Sequence, residues 1–158
     1  MEDKKNVLIN VYAGKYENSP IFEELPANQL TENTYELLSS PGLALNLAKG
    51  DIVEIVNKEQ PAKILRRGGN FCIQIYSEDI PTQDIDNLEK NIVRELHGTL
   101  DGIHDGNLAL SVPASAGVDK IKEFFDSFTE KTGIQWYFCN IYENFEDVND
   151  ETLLDWWL

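Results

Sequence analysis

Asn70-Phe-Cys-Ile-Gln-Ile-Tyr76 reads as a strand, and Thr82-Gln-Asp-Ile-Asp-Asn-Leu-Glu-Lys-Asn-Ile-Val-Arg-Glu-Leu96 follows it with the period of a helix. Ile85, Leu88, Ile92 and Leu96 form one apolar stripe, the other face is acidic, and Gly98 is expected to stop the helix. Two short strands come next, Thr99 to His104 and Asn107 to Val112, around Asp105-Gly106, a dipeptide suited to a tight hairpin. A second helix is predicted from about Val118 to Lys131, with Ile121, Phe124, Phe125 and Phe128 on one side and Gly133 at its end. Ile134-Gln-Trp-Tyr-Phe-Cys-Asn-Ile-Tyr142 closes the series as a strand. Strand, helix, strand, strand, helix, strand is the order of a ferredoxin-like (βαββαβ) sandwich, in which two helices cover one face of an antiparallel sheet.

Upstream of Asn70 the signals are shorter and all β. Val7 to Tyr12 is a first strand ending at the turn signal Ala13-Gly14, and Asn18 to Asn33 reads as loop-rich. Thr34 to Leu38 is a second strand, stopped by Ser39-Ser-Pro-Gly42. Gly50 to Val56 and Ala62 to Arg66 follow as a third and fourth, with Gly68-Gly69 closing the segment. The fold class is therefore α+β: a small antiparallel β subdomain over 1–69, the ferredoxin-like half over 70–145, and a short acidic, aromatic tail over 146–158 docked on the body.

Charge divides the chain more sharply than structure does. Residues 1–70 hold 10 acids and 8 bases, whereas residues 71–158 hold 18 acids and 5 bases, so nearly all of the net charge of -15 belongs to the second half. Such a field repels phosphate backbones and anionic lipid surfaces and attracts basic proteins. No apolar run approaches the roughly 20 residues that cross a bilayer, and the short N-terminal run lacks the pattern of a signal peptide, so a soluble, cytoplasmic protein is expected. The expected partner is a positively charged protein, with no nucleic acid, membrane or cofactor.

Several residues could carry chemistry. His97 and His104 with Asp101 and Asp105 could hold a metal or act as acid and base in a hydrolase, but their spacing matches no ligand pattern, and helix capping and hairpin geometry explain them. Cys72 and Cys139 fall inside strands, form no zinc or redox spacing, and are expected to be reduced core residues that lie near each other. Gly68-Gly-Asn70 beside Arg66-Arg67 could hold an anion, yet lacks the Gly-Lys-Ser/Thr ending of a phosphate loop and reads as a connector. In the tail, Glu143, Glu146, Asp147, Asp150, Glu151 and Asp155 stand without a base. Adjacent Trp156 and Trp157 cannot face the same way. One is expected to pack inward, and self-docking through Leu153, Leu154 and Trp157 competes with a role for Trp156 as a partner's anchor.

Ser39-Ser-Pro-Gly-Leu-Ala-Leu-Asn-Leu-Ala-Lys-Gly-Asp-Ile-Val-Glu54 and Arg67-Gly-Gly-Asn-Phe71 together resemble the bacterial domain-of-unknown-function family numbered 4265, with Gly50-Asp51 and Gly69-Asn70 carrying most of the likeness. The resemblance implies a small cytoplasmic bacterial protein without established activity, some members being similar to immunity proteins that accompany secreted antibacterial toxins. It transfers no catalytic residue, and Gly50 and Gly69 are expected at positive φ. The reading that follows is not an enzyme but an immunity protein, whose acidic face binds a basic toxin domain, a nuclease being the natural candidate. The expected contacts are Asp101, Asp105, Glu143, Glu146, Asp147, Asp150 and Trp156. A regulatory homodimer that pairs sheet edges of the ferredoxin-like half is the alternative.

Overall fold

A computed structural model describes residues 5–104 and 106–158, and the fold is mixed α/β with two helices and two antiparallel sheets. The first sheet is a meander in chain order: β1 (Lys5–Tyr16), β2 (Ser19–Gln29), β3 (Thr34–Leu37), β4 (Ile52–Glu54) and β5 (Lys63–Arg66). The second contains β6 (Asn70–Tyr76), β7 (Thr99–His104), β8 (Asn107–Pro113) and β9 (Trp136–Phe138), ordered β7-β8-β6-β9 with every pairing antiparallel. Helix α1 (Thr82–Leu96) lies between β6 and β7, and α2 (Val118–Thr132) between β8 and β9.

Elements from Asn70 through α2 fall where their periodicity places them, whereas the N-terminal reading needs two corrections. Ala13-Gly14 is not a turn. The β1–β2 register shifts between Tyr12 and Lys15, so Gly14 (φ 114°) sits in a bulge and the strand continues to Tyr16. The chain reverses at Glu17-Asn18, both at positive φ (50° and 66°), as the favoured two-residue hairpin turns require. The expected loop from Asn18 to Asn33 is mostly strand β2. Pro26 is accommodated within it because Pro26 O accepts from Leu38 N–H (3.0 Å), so the missing N–H points to the same side, just past the ladder that pairs Ala27 with Leu37.

The last strand is also shorter than its apolar run. Asn140 ends it: buried completely, its Oδ1 accepts from Cys72 N–H (2.9 Å) and its Nδ2 donates to Asn70 O (2.9 Å), so a side chain replaces the backbone ladder. At the end of α1 the left-handed residue is His97 (φ 56°), and Gly98 N–H reaches back to Ile92 O (2.9 Å). Gly98 is required for a different reason than stopping the helix, because a Cβ there would lie 2.6 Å from Ser111 O on β8.

Strand alternation gives the second sheet two unlike faces. Phe71, Ile73 and Ile75 pack with Leu88, Ile92 and Leu96 of α1 and Ile121 and Phe125 of α2 into an apolar core. Cys72, Gln74 and Tyr76 occupy alternate positions on the same strand, and Cys72 and Gln74 bond to the irregular connector between β3 and β4. Gln74 Nε2 donates to Pro41 O (3.0 Å) and Ala44 O (2.9 Å), Ser40 Oγ bonds Ser111 Oγ (2.6 Å), and Asn46 N–H donates to Cys139 O (2.7 Å). A separate apolar cluster with Val11, Leu25, Leu37, Leu47 and Val53 serves the first sheet.

Candidate partner-binding site

Where the connector meets the Gly68-Gly69 turn, close backbone approach explains why the glycines and Asp51 stand where they do. Gly50 and Gly69 both have positive φ (89° and 87°), and a Cβ on Gly68 would overlap the Gly50 backbone. Asp51 is fully buried; its carboxylate accepts from Ala48 N–H (3.0 Å) and Gly68 N–H (2.8 Å) and faces Arg67 at 3.6 Å. Burial raises its pKa to about 6, against the opposing pull of the Gly68 N–H and Arg67. Arg67 also donates to Asn46 O (2.8 Å) and Oδ1 (2.6 Å) and lies 5.9 Å from the Trp156 ring centre. These partners make Arg67 part of the junction between the two sheets, in keeping with the connector reading of the Gly68-Gly69 segment.

The expected site residues separate into two groups. Asp101 is half-buried and holds the connector against β8: Ser40 N–H (2.7 Å), Thr99 Oγ1 (2.6 Å) and Ser111 Oγ all donate to it. Trp156 is docked, its ring 4.9 Å from Phe71 and its Nε1 donating to Asn140 O (2.9 Å), while Trp157 packs 5.6 Å from Phe71 on the same cluster. Both tryptophans therefore turn inward, where only one was expected to, while Leu153 stays exposed. Asp105 lies outside the described residues. His97 caps α1 two residues before β7 and His104 is the last residue of that strand, which alone spans ~16 Å, so the two do not converge with Asp101. Among the described residues no group of three or more His, Cys, Asp or Glu is placed to hold a metal ion.

Glu143, Glu146, Asp147 and Asp150 come together on the loop that follows β9. Glu143 N–H bonds Thr152 O (2.8 Å) and Leu154 N–H bonds Ile141 O (2.7 Å), closing the loop at its base. Within it, Asp147 Oδ1 accepts from Asn149 N–H (3.0 Å) and Asp150 Oδ1 from Thr152 N–H (3.0 Å). The Thr152 side chain and backbone N–H hold Asp150 below the usual carboxylate range. Beneath the loop, against the connector-side face of β6 and β9, is a cavity of about 510 Å³. Its walls include Tyr76, Tyr137, Tyr142 and Phe145, with Asp147, Asp150 and Glu151 contributing charge. Among the described residues no lysine or arginine lines it. A second cavity of about 360 Å³ shares Leu45, Phe145 and Val148 with it and extends toward Tyr12 of the first sheet.

Tyr76 and Tyr137 are the residues that sequence reasoning missed. Their rings lie 5.9 Å apart, both are substantially exposed, and the Tyr76 hydroxyl donates to Gln74 Oε1. Burial, with neighbouring Cys139, pushes the Tyr76 phenol above its ordinary pKa, so it stays protonated. The period of two along β6 carries the signal: Tyr76 shares the Cys72 and Gln74 face, so it points away from the helix-covered core. A larger cleft of about 600 Å³ between α1 and α2 includes Lys120 and Lys131 among its acids and has no such charge bias. Cys72 on β6 and Cys139 just past the end of β9 are free and buried, Cys139 N–H donating to Cys72 O (2.9 Å), and burial together with Cys72 raises the Cys139 thiol.

No helix among the described residues is long and apolar enough to cross a membrane. No curated protein matches the chain. The structure superposes on one described as a novel crystal structure of a hypothetical protein from Neisseria gonorrhoeae with a TM-score of 0.60, covering 88% of this chain and 96% of that one at 18% identity, a likeness of fold alone. Residues 23–136, which include the connector, the Gly69-Asn70 turn and both helices, match the family described as Domain of unknown function (DUF4265), and the chain belongs to that family.

Proposed function

We propose that this protein is a binding protein that acts in the cytoplasm as an immunity factor, occupying a basic antibacterial toxin domain, most naturally a nuclease, through its acidic C-terminal face. The observation that carries this reading is the loop from Glu143 to Glu151, of which Asp147, Asp150 and Glu151 line an aromatic cavity that has no lysine or arginine among the described residues of its lining. A nuclease surface is basic because it binds phosphate, so an acidic inhibitor gains fast association from charge and slow dissociation from buried anchors. Tyr137 and Val148, 51% and 91% exposed, suit the anchoring role that the docked Trp156 leaves. The strand order β7-β8-β6-β9 with its two crossover helices supports a ferredoxin-like half over 70–145, and the five-stranded meander supports a β subdomain over 1–69.

The test starts from the protein captured with its partner from the source bacterium and measures association of the purified pair against ionic strength. The reading expects a basic partner whose association rate falls steeply with salt, and falls again when Glu143, Glu146, Asp147 and Asp150 are neutralised. Association that ignores both salt and these substitutions would overturn it. A homodimer is favoured by one feature: β1 is an edge strand in which Asn6 to Gly14 carries no charge, a surface prone to pair with a second copy. Sedimentation at micromolar concentration separates this second reading from a monomeric binder.

A further inference from the structure

The cavity beneath the acidic loop defines more than a charged surface. At about 510 Å³ it lies in the range of pockets that enclose a ligand group, about 300–1,000 Å³. Its floor is fixed, because Gln74, fully buried, is held by Pro41 O and Ala44 O and itself accepts the Tyr76 hydroxyl. Tyr137 stands beside Tyr76 with the ring planes tilted by 44°. The local N–H bonds to Oδ1 of Asp147 and Asp150 fix how those two carboxylates are presented. Aromatic faces attract cations through their quadrupole, and fixed carboxylates at the rim add charge-assisted hydrogen bonds.

We propose that this cavity receives an arginine side chain of the basic partner, its guanidinium against the Tyr76 and Tyr137 rings and its N–H groups donating to Asp147, Asp150 or Glu151. The inference rests on the binding reading above and names the group that the site recognises. A guanidinium suits it better than an ammonium, because it is planar, more weakly hydrated, stacks on rings and forks onto carboxylates, whereas a lysine would lose more hydration over apolar walls. Among the described residues no lysine or arginine lines the cavity, so the three acids meet no described cation of the chain inside it.

The experiment is amide and ring NMR titration of the full chain with N-acetyl-arginine amide, its lysine and citrulline counterparts, and an oligolysine peptide. Saturable shifts at Tyr76, Tyr137, Asp147 and Glu151 are expected with the arginine probe, with binding about ten-fold weaker for citrulline, the worth of one charge-assisted hydrogen bond. Tyr137→Ala and Glu151→Gln, both at exposed positions, should each weaken the arginine probe by about five-fold. Equal binding of arginine and citrulline, or no saturable shift with arginine, overturns the inference. If oligolysine still binds the acidic loop in a salt-sensitive way while arginine leaves the cavity untouched, the pocket assignment falls and the acidic-surface reading stands; if neither probe binds, both fall.

Discussion

The two faces of β6 are built from alternate residues of one strand, yet they are held by different forces. On one side Phe71, Ile73 and Ile75 lie fully buried under α1 and α2, and non-directional apolar burial does the holding. On the other, Cys72 and Gln74 are equally buried, but they meet a connector without regular structure through placed hydrogen bonds to Pro41 O and Ala44 O. Apolar packing tolerates volume-conserving changes, whereas each buried hydrogen bond demands its own partner. The helix face therefore makes the sheet stable, and the connector face decides where the first sheet and the acidic loop sit relative to it. The cavity lies on that second face, where geometry is specified most closely.

Phe71→Ala breaks the comparison at its strongest point. Its ring packs 5.1 Å from Phe138 and 4.9 Å from Trp156, so truncation creates a cavity and undocks the tail together. A loss of about 3–5 kcal/mol in denaturant unfolding is expected, with red-shifted tryptophan fluorescence in the native state. A loss below about 1 kcal/mol would mean that the tail docks without this ring.

On the connector face the first lever is Asp51. Its folded pKa of about 6 stands above the ordinary value of 3.8, so the native state binds more protons than the unfolded chain between these pH values. The stabilising contribution is complete below the unfolded pKa and is lost as pH rises through about 6. The stability difference between the natural protein and Asp51→Asn should accordingly shift against the natural protein by up to about 3 kcal/mol from pH 4 to pH 7. A difference independent of pH would show that Arg67 and the two N–H groups hold Asp51 at an ordinary pKa. The second lever is Gln74→Ala, which strands Pro41 O, Ala44 O and the Tyr76 hydroxyl at a cost of about 1–3 kcal/mol. Hydrogen exchange should then accelerate at Asn46 N–H, which bonds Cys139 O, before it does within α1 or α2.

The same contrast explains what could be read from the sequence. Elements of the helix face declare themselves through period: Leu88, Ile92 and Leu96 mark α1, Ile121 and Phe125 mark α2, and Gly133 takes the left-handed cap that ends α2. The connector face has no period. Pro26 fits inside β2 only because its missing donor falls just past the ladder to β3, and Asn140 ended β9 through a side-chain bond between residues 68 apart in the chain. The acids of the site were legible as charge, and their gathering around Tyr76 and Tyr137 was not, because that depends on how the loop from Glu143 closes onto Thr152.

The smallest expected effect separates a residue kept for folding from one kept for binding. Glu143, Glu146 and Glu151 are exposed on a chain of net charge -15, where like charges repel and each carboxylate costs the compact state a little. The triple variant Glu143→Gln, Glu146→Gln, Glu151→Gln should therefore gain a few tenths of a kcal/mol in low salt, a gain that fades as the Debye length shortens toward ~3 Å in molar salt. Asp150→Asn on the same loop should instead destabilise the fold, because its carboxylate holds Thr152 N–H. Acids whose removal stabilises the fold while slowing association with a basic partner are retained for the partner, whereas a loss of stability in the triple variant would assign them to holding the loop closed.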